Sequence, residues 1–323
     1  MEYTLPKVAG IYITRKCNLS CGYCSVGKNN TLVELNEEKW IHAIDILKNI
    51  GIEKLVILGG EPTIKQGIEN IVQYLSNNTS INFSIVSNGT ADISIMKKLI
   101  NLGLKKVSAS IDTIKNKSLD KYTSLKSQKA LNLFEDLQRY SINDLTAYFV
   151  LSAATLNQVV ETVEYLSKKN IWLYILPYHY GKPGEDYWVT RDKEIKENLA
   201  FYFSHIPNLK KVVELLINMK KSGYLISNTE PYLLDLPLKI VDFKWHCTEY
   251  VTELRIDADG SLMCCHDNRG ILSPKYTIFD IINEDKFREF NNARAKDAKN
   301  CPGCLWPSQY HSSEYLNAER LEV

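Results

Sequence analysis

The sequence lacks the features that would attach this protein to a membrane or a nucleic acid. It has no apolar run of the roughly eighteen residues that cross a bilayer, and no signal-peptide core follows Met1. Neither sign of charge is in excess, because 39 Lys and Arg face 38 Asp and Glu and leave a net charge of +1. Nucleic-acid binding normally leaves a strongly basic surface. These absences predict a soluble, cytoplasmic protein with no membrane or nucleic-acid partner.

What the sequence does contain is enough chain for a large core and an unusual set of cysteines. Its 323 residues allow one large domain with a small addition. In a reducing compartment, clustered cysteines are metal ligands more often than disulfides. The eight cysteines form two groups: Cys17, Cys21 and Cys24, and Cys247, Cys264, Cys265, Cys301 and Cys304.

The first group has no fourth ligand close by. Cys17, Cys21 and Cys24 follow a β-type run, and no further cysteine or histidine appears before His42, which lies in a predicted helix. A zinc site usually completes its tetrahedron with a fourth protein ligand. Three thiolates can instead hold three corners of an iron–sulfur cube and leave the fourth iron open. A ferredoxin-like or zinc-binding loop is the alternative interpretation.

Short β-type runs alternate with helical patterns from residue 8 to about 176, which predicts an α/β fold with a parallel sheet and right-handed crossovers. Asn36 is a candidate N-cap of the first helix, and Gly51, Gly103 and Asn170 stand where helices should end. Six repeats are too few for a closed eight-stranded barrel. The predicted strands are Gly10–Thr14, Lys54–Leu58, Asn82–Ser87, Lys105–Ile111, Ala147–Leu151 and Trp172–Leu176. The predicted helices are Asn36–Asn49, Gly67–Asn77, Ile93–Leu102, Lys126–Tyr140 and Gln158–Lys169.

Chemistry in such folds collects at the carboxyl ends of the strands. After the second strand come Gly59, Gly60, Glu61 and Pro62, where the glycines allow close approach to a ligand. The third strand ends in the run Ser87-Asn88-Gly89-Thr90. Strand alternation places Ser108, Ser110 and Asp112 of the fourth strand on one face. Asp112 as a simple cap of the next turn is the alternative.

The spacing CxxxCxxC, with Tyr23 before the last cysteine and with GGEP and SNG behind it, resembles the radical S-adenosylmethionine (radical SAM) enzymes. The resemblance implies a partial, open (β/α)6 TIM-like barrel. It implies that Cys17, Cys21 and Cys24 hold a 4Fe–4S cluster whose open iron chelates the amino and carboxylate groups of SAM. The cluster then cleaves SAM reductively to a 5′-deoxyadenosyl radical, which abstracts a hydrogen atom from a substrate carbon.

The same resemblance implies roles for individual residues around SAM. Tyr23 would lie against the adenine. The amino group would be held by Gly59, Gly60 and Glu61, and the sulfonium or carboxylate region by Ser87 and Asn88. Ser110 and Asp112 would approach the ribose or the substrate. The fifth strand lacks the family's glycine-containing adenine segment, so no role is carried over to Leu151 or Ser152. In the loop after the sixth strand, Tyr178 and His179 are candidates for substrate contact or for ordinary loop packing.

The second cysteine group resembles the twitch module, the shorter relative of the SPASM domain. Cys247 precedes a predicted hairpin with the turn 257–260, and a helical pattern over Ile278–Lys296 leads to a CPGC run. The resemblance implies one auxiliary 4Fe–4S cluster on Cys247, Cys265, Cys301 and Cys304. A structural zinc site is the alternative.

Several neighbours of these ligands have no assigned place in the cluster. Cys264 is left over, because adjacent strand residues point to opposite faces. It is expected to pack inertly or, alternatively, to donate a hydrogen atom to a substrate radical. His246 and His266 are expected to hydrogen-bond around the ligands.

The predicted domains are a radical SAM partial barrel over residues 1–180, a helical, substrate-side connection over 181–245 and a small α+β twitch-like module over 246–323.

We expect an oxidoreductase that dehydrogenates a small polyol or sugar-like metabolite with the help of the auxiliary cluster, like the radical dehydrogenases of aminocyclitol biosynthesis. The alternative is epimerisation or crosslinking of a ribosomally made peptide, although no leader-binding module fits before the barrel. A third hypothesis is an electron-transfer protein that does not cleave SAM. Flavodoxin or ferredoxin is the expected electron donor.

Overall fold

A computed structural model of the chain describes residues 6–21, 24, 26, 33–114, 121–140, 142–178, 199–241, 245–247, 252–264, 275–300 and 303–311. None of the helices in these ranges is long and apolar enough to span a membrane.

One twisted sheet of eight strands organises these residues, in the order β6-β5-β4-β3-β2-β1-β7-β8. Strands β1 to β7 run parallel to their neighbours, and only β8 is antiparallel. Among the described strands β6 and β8 are the two edges, so the sheet stays open, as the partial-barrel prediction requires. The strands are β1 Val8–Tyr12, β2 Lys54–Leu58, β3 Asn82–Ser87, β4 Lys106–Ser110, β5 Asp144–Leu151, β6 Trp172–Pro177, β7 Leu254–Ile256 and β8 Leu262–Met263.

Helices connect the parallel strands at nearly the predicted positions. Asn36 caps the first helix by accepting a hydrogen bond from the Lys39 amide, and Gly51, Gly103 and Asn170 have the positive φ that ends a helix. The fourth helix starts five residues earlier than predicted. The helices are α1 Glu37–Asn49, α2 Ile68–Asn78, α3 Ile93–Asn101, α4 Lys121–Arg139, α5 Val159–Lys168, α6 Ile206–Lys221, α7 Glu230–Lys239 and α8 Glu284–Asn300.

The two faces of the sheet differ sharply in burial. Alternate residues such as Ile11, Ile57 and Phe149 pack against the helices and are fully buried in the main hydrophobic core. The residues between them point to the opposite, inner face. Near the carboxyl ends of β2 to β6 these inner residues are only half-buried, so they border an open space that we call the inner chamber: Leu58, Val86, Ser110, Tyr148, Val150, Tyr174 and Leu176. Two residues further down each strand, most of the inner-face residues are buried. They form the floor of this chamber: Gly10, Ser84, Ser108, Thr146 and Arg255.

The predicted hairpin is present, and it joins the sheet rather than standing apart. Strand β7 pairs with β1 in parallel, and β8 pairs with β7 through Arg255 opposite Met263 and Ile256 opposite Leu262. Because β7 is parallel to β1, the turn of the hairpin lies at the same edge of the sheet as the loop that follows β1. The helical pattern predicted over Ile278–Lys296 divides into a single 3-10 turn and α8, which ends at Asn300.

Candidate functional site

The cysteine loop leaves β1 at the carboxyl edge and is fixed there by the glycine segment after β2. The Gly60 and Glu61 amides each donate a 2.9 Å hydrogen bond, to the carbonyl oxygens of Thr14 and Lys16. A Cβ atom on Gly60 would lie 2.1 Å from the Lys16 oxygen. Gly60 is therefore required because the chain passes against its own backbone next to Cys17. The predicted close approach of a ligand to these glycines stays a prediction.

Glu34 closes the far end of this loop. Its carboxylate accepts hydrogen bonds from the Thr14 hydroxyl and the Arg15 amide, and the Lys65 ammonium lies 3.3 Å away. Burial opposes ionisation of Glu34, but these donors outweigh burial and lower the pKa of its carboxyl. One carboxylate thus ties the loop's exit to its entry, so the cysteines lie on a closed loop.

Cys17 presents a sulfur that already accepts N–H donors. The Leu19 amide lies 3.4 Å and the Asn88 side-chain amide 3.6 Å from its Sγ. Asn88 is itself held, because its side chain also donates to Asn18 and accepts from Thr90. Burial, with Cys24 and Glu61 nearby, nevertheless raises the pKa of the Cys17 thiol. A metal that replaces the thiol proton would remove this penalty.

Glu61 lies beneath the loop and is fully buried. Its carboxylate accepts hydrogen bonds from the amide and hydroxyl of Thr63, the hydroxyl of Ser87 and the amide of Asn88, at 2.6–3.2 Å. Burial raises the pKa of the carboxyl, and these donors offset that only in part. Glu61 therefore joins the ends of β2 and β3, which brings Asn88 to the Cys17 sulfur.

Asp112 forms a buried ion pair with a lysine that was not among the predicted site residues. Its Oδ2 lies 2.6 Å from Nζ of Lys126 on α4, and the two side chains are 1% and 4% exposed. Asp112 also accepts a hydrogen bond from the Val150 amide. Burial disfavours the Lys126 ammonium, but Asp112 together with the nearby Cys21 and Cys24 outweighs burial and raises its pKa. A buried cation therefore lies close to two of the three cysteines.

A signal for Lys126 was present in the sequence. Lys126, Ala130, Phe134 and Leu137 follow the spacing of one helix face, and all four are buried. A lysine in line with apolar residues on such a face indicates a buried cation.

The remaining predicted SAM-site residues fall in different places. Ser110 lies on the inner face near the carboxyl edge and is half-buried. Tyr178 is buried, and its amide donates to the Leu151 carbonyl, while Ser152 forms a local turn with Thr155. Tyr23 and His179 lie outside the described residues.

Two of the four predicted auxiliary ligands, Cys247 and Cys304, lie in segments that a backbone hydrogen bond joins. The Cys304 amide donates a 3.0 Å hydrogen bond to the carbonyl of Trp245, two residues before Cys247. Both cysteines carry reduced thiols. Cys265, Cys301 and His266 lie outside the described residues.

Cys264 packs away from the chamber. It continues the alternation of Leu262 on the core side of the sheet and faces Asp297 and Arg294 of α8. Burial raises the pKa of its thiol to about 12.

The donor set at the β1 edge fits an iron–sulfur cluster better than a single metal ion. Among the described side chains, no three of His, Cys, Asp and Glu converge on one point as a lone ion requires. A cubane cluster does not need such convergence, because its thiolates bind separate irons and its sulfurs accept N–H donors. Cys17, Cys21 and Cys24, with the N–H groups around Cys17 and the cation of Lys126, provide these features.

Comparison with known proteins agrees with this chemistry. The family model of the radical SAM superfamily matches residues 11–193. A probable GTP 3′,8-cyclase of Methanococcus vannielii is 25% identical over 257 residues, which are 78% of this chain and 82% of that protein. The probable GTP 3′,8-cyclase of Methanocaldococcus jannaschii is 24% identical over 266 residues, 79% and 83% of the two chains.

Solved structures share the fold at low identity. Native anSMEcpe with bound AdoMet matches with a TM-score of 0.64 and 18% identity, over 92% of this chain and 88% of that chain. Streptococcus suis SuiB bound to S-adenosylmethionine matches with a TM-score of 0.64 and 16% identity, over 89% of this chain and 68% of that chain. SuiB bound to precursor peptide SuiA matches with a TM-score of 0.62 and 15% identity, over 90% of this chain and 67% of that chain. These likenesses show the architecture of the sheet and its helices.

Proposed function

This chain belongs to the radical SAM superfamily, and we propose that Cys17, Cys21 and Cys24 hold its SAM-binding 4Fe–4S cluster. The observation that carries the proposal is the loop after β1, whose two ends Glu34 joins and which carries three cysteines outside any disulfide at the carboxyl edge of a parallel sheet. When bound, the cluster supplies the electron that cleaves SAM, and the 5′-deoxyadenosyl radical so formed abstracts a hydrogen atom from a substrate carbon.

The protein's own contribution would be to hold and orient SAM beside the cluster. Because the Glu61 carboxylate is occupied by its own donors, we assign the SAM amino group to the backbone of Gly59 and Gly60. Lys126 is assigned to the SAM carboxylate, since a buried ammonium beside the cysteines can form a charge-assisted hydrogen bond to it. The Asn88 amide keeps the Cys17 sulfur in place, and Ser110 faces the ribose or the substrate from the inner chamber.

We further propose a second 4Fe–4S cluster on Cys247, Cys265, Cys301 and Cys304, within a module formed by residues 246–323. The support is the backbone hydrogen bond that brings the Cys304 segment beside Trp245 and Cys247. Anaerobically reconstituted protein should then contain about eight irons per chain, and Cys304→Ala should retain about four. About four irons and one zinc in the wild type would overturn this cluster.

For the outcome of the reaction we propose dehydrogenation of a small, hydroxyl-bearing metabolite. The inner chamber is bordered by tyrosine, serine and aliphatic side chains, and the charged pair on its floor is internally neutral. Such a lining suits an uncharged polar substrate better than a polyphosphate.

Peptide modification is the second candidate, since the SuiB structure that matches over 90% of this chain holds a precursor peptide. Cys264 is not assigned as its hydrogen donor, because it packs on the core side of the sheet.

Deuterium transfer separates these substrate classes. Reduced, reconstituted protein is incubated with SAM and with carbon-deuterated cyclitols and sugars, deuterated peptides, or ribose-deuterated GTP. Deuterium in 5′-deoxyadenosine from a cyclitol or sugar supports the dehydrogenase. Transfer from GTP would assign the chain to the reaction of its GTP 3′,8-cyclase relatives, and transfer from a peptide to peptide modification, and either result would overturn the dehydrogenase.

A further inference from the structure

The floor of the inner chamber contains a buried ion pair that no part of the SAM site uses. Arg255 of β7 points inward across Gly10, where a Cβ atom would lie 1.9 Å from its Nη1. Its Nη2 pairs with the carboxylate of Glu253. The two residues are 4% and 5% exposed, so the pair has little solvent to screen it.

The carboxyl-terminal segment holds Glu253 against Arg255. The Ser308 hydroxyl accepts from Arg255 Nη2 at 3.0 Å and donates to Glu253 Oε2 at 3.1 Å. The side-chain amide of Gln309 donates to the same oxygen at 3.3 Å, and its oxygen accepts from Thr252. Glu253 is thus fixed by several donors and is not free to swing away when a ligand arrives.

The pair borders the open part of the chamber through two tyrosines. The rings of Tyr148 and Tyr174 are tilted against each other with their centroids 5.2 Å apart, and both lie within electrostatic range of Arg255 and Glu253. The ring of Tyr174 in turn lies edge-on to the His311 ring, with the two centroids 6.0 Å apart. Two buried nitrogens along this row, Nε of Arg255 and Nε2 of His311, have no hydrogen-bond partner within the described structure.

Buried polar atoms without partners are costly and point to a ligand that completes them. A polyanion would need uncompensated positive charge, and Arg255 is already neutralised by Glu253. The single carboxylate of SAM is a different case, because SAM is a zwitterion with its own positive charges. We infer that the chamber floor binds an uncharged, hydrogen-bonding group of the substrate, and that Glu253 is the specificity-determining residue that excludes polyanions by neutralising Arg255. This inference rests on the proposed function, since it places the substrate in the chamber beside the SAM site.

The test uses anion binding, which does not depend on catalysis. GTP and inorganic tripolyphosphate are offered to reconstituted protein in equilibrium dialysis. Glu253→Gln keeps the size of the side chain and its bonds to Ser308 and Gln309 but leaves Arg255 with a net charge. We expect Glu253→Gln to bind both anions at least about tenfold more tightly than the wild type. Adding Arg255→Met to the Glu253→Gln variant should remove this increase in anion affinity.

Glu53→Gln is the matched control, because it makes the same change in net charge at an exposed position, where it should leave anion binding unchanged. Two results would overturn the inference. One is that wild-type protein binds GTP and that Arg255→Met abolishes this binding. The other is that Glu253→Gln binds the two anions no more tightly than Glu53→Gln. Deoxyadenosine formation by the wild type with SAM alone reports the proposed function separately, so the two can fail independently.

Discussion

Nε of Arg15 lies 2.6 Å from Oδ1 of Asp257, and neither side chain is more than 4% exposed. Arg15 stands two residues before Cys17, and Asp257 begins the turn between β7 and β8. The Leu35 amide also donates to the Ala258 carbonyl of this turn at 2.7 Å. The hairpin in the carboxyl-terminal part of the chain is therefore bound directly to the cysteine loop.

Asp257→Asn should destabilise the protein by about 3–5 kcal/mol, because it removes the charge of the carboxylate that lies 2.6 Å from the buried Arg15 guanidinium. Guanidinium unfolding midpoints measure the loss. Glu53→Gln breaks the exposed pair with Lys7 and should cost at most about 1 kcal/mol. Equal losses for the two variants would show that burial of the Arg15–Asp257 pair has no energetic consequence.

Gly60→Ala should reduce the iron bound at the amino-terminal site, because the new methyl group collides with the Lys16 carbonyl and displaces Cys17. Iron content after anaerobic reconstitution measures the effect. Gly223→Ala is the control: its φ of +90° makes alanine unfavourable by about 1 kcal/mol, but nothing lies within 4 Å of the added carbon. Full iron content in Gly60→Ala would contradict the proposed role of this glycine.

Lys126→Met should weaken SAM binding about 10- to 100-fold, which corresponds to the loss of one charged hydrogen bond. Equilibrium dialysis with reconstituted protein gives the dissociation constant. Lys129→Met removes an exposed charge from the same helix and should bind SAM normally. The variant Lys126→Met/Asp112→Leu removes both buried charges and should show the same weakening. Unchanged affinity in this double variant would refute the assignment of Lys126.

His311 should make stability depend on pH in the acidic range. Burial, together with the Lys220 ammonium, lowers the pKa of His311 to about 4, whereas an unfolded histidine titrates near 6.5. Between these two pKa values, His311 is protonated in the unfolded chain and neutral in the folded chain. The stabilisation is complete above about pH 6.5 and is lost as pH falls toward 4.

His311→Phe keeps a ring in contact with Tyr174 and removes this titration. Between pH 7.5 and 5.5 the wild type should lose about 1 kcal/mol of unfolding free energy more than the variant. Unfolding curves recorded at several pH values provide the comparison, and parallel losses in the two proteins would contradict it.

Local signals in the sequence were sufficient for most of the sheet and for the position of the cysteines. The bounds of β2 and β3 were predicted as observed, because their apolar runs end at glycine or asparagine. Strand β5 begins three residues before its prediction, since Asp144 extends it through pairing with Lys106 on the neighbouring strand. The sequence around Asp144 contains no sign of that partner.

The contacts that shape the site join residues far apart in the chain. Arg15 and Asp257 are separated by 242 positions, and Asn88 and Cys17 by 71. No local pattern specifies such partners. The role of Glu34 had no local signal for the same reason, because its donors come from the segment after β1 and from the segment after β2.

Deoxyadenosine formation in a single turnover tests the central claim most directly. Reconstituted wild-type protein reduced with dithionite should convert SAM to 5′-deoxyadenosine, and Cys21→Ala should form none. Cys264→Ala changes a cysteine that packs against α8 and should match the wild type. Deoxyadenosine formed by Cys21→Ala at the wild-type level would contradict the account.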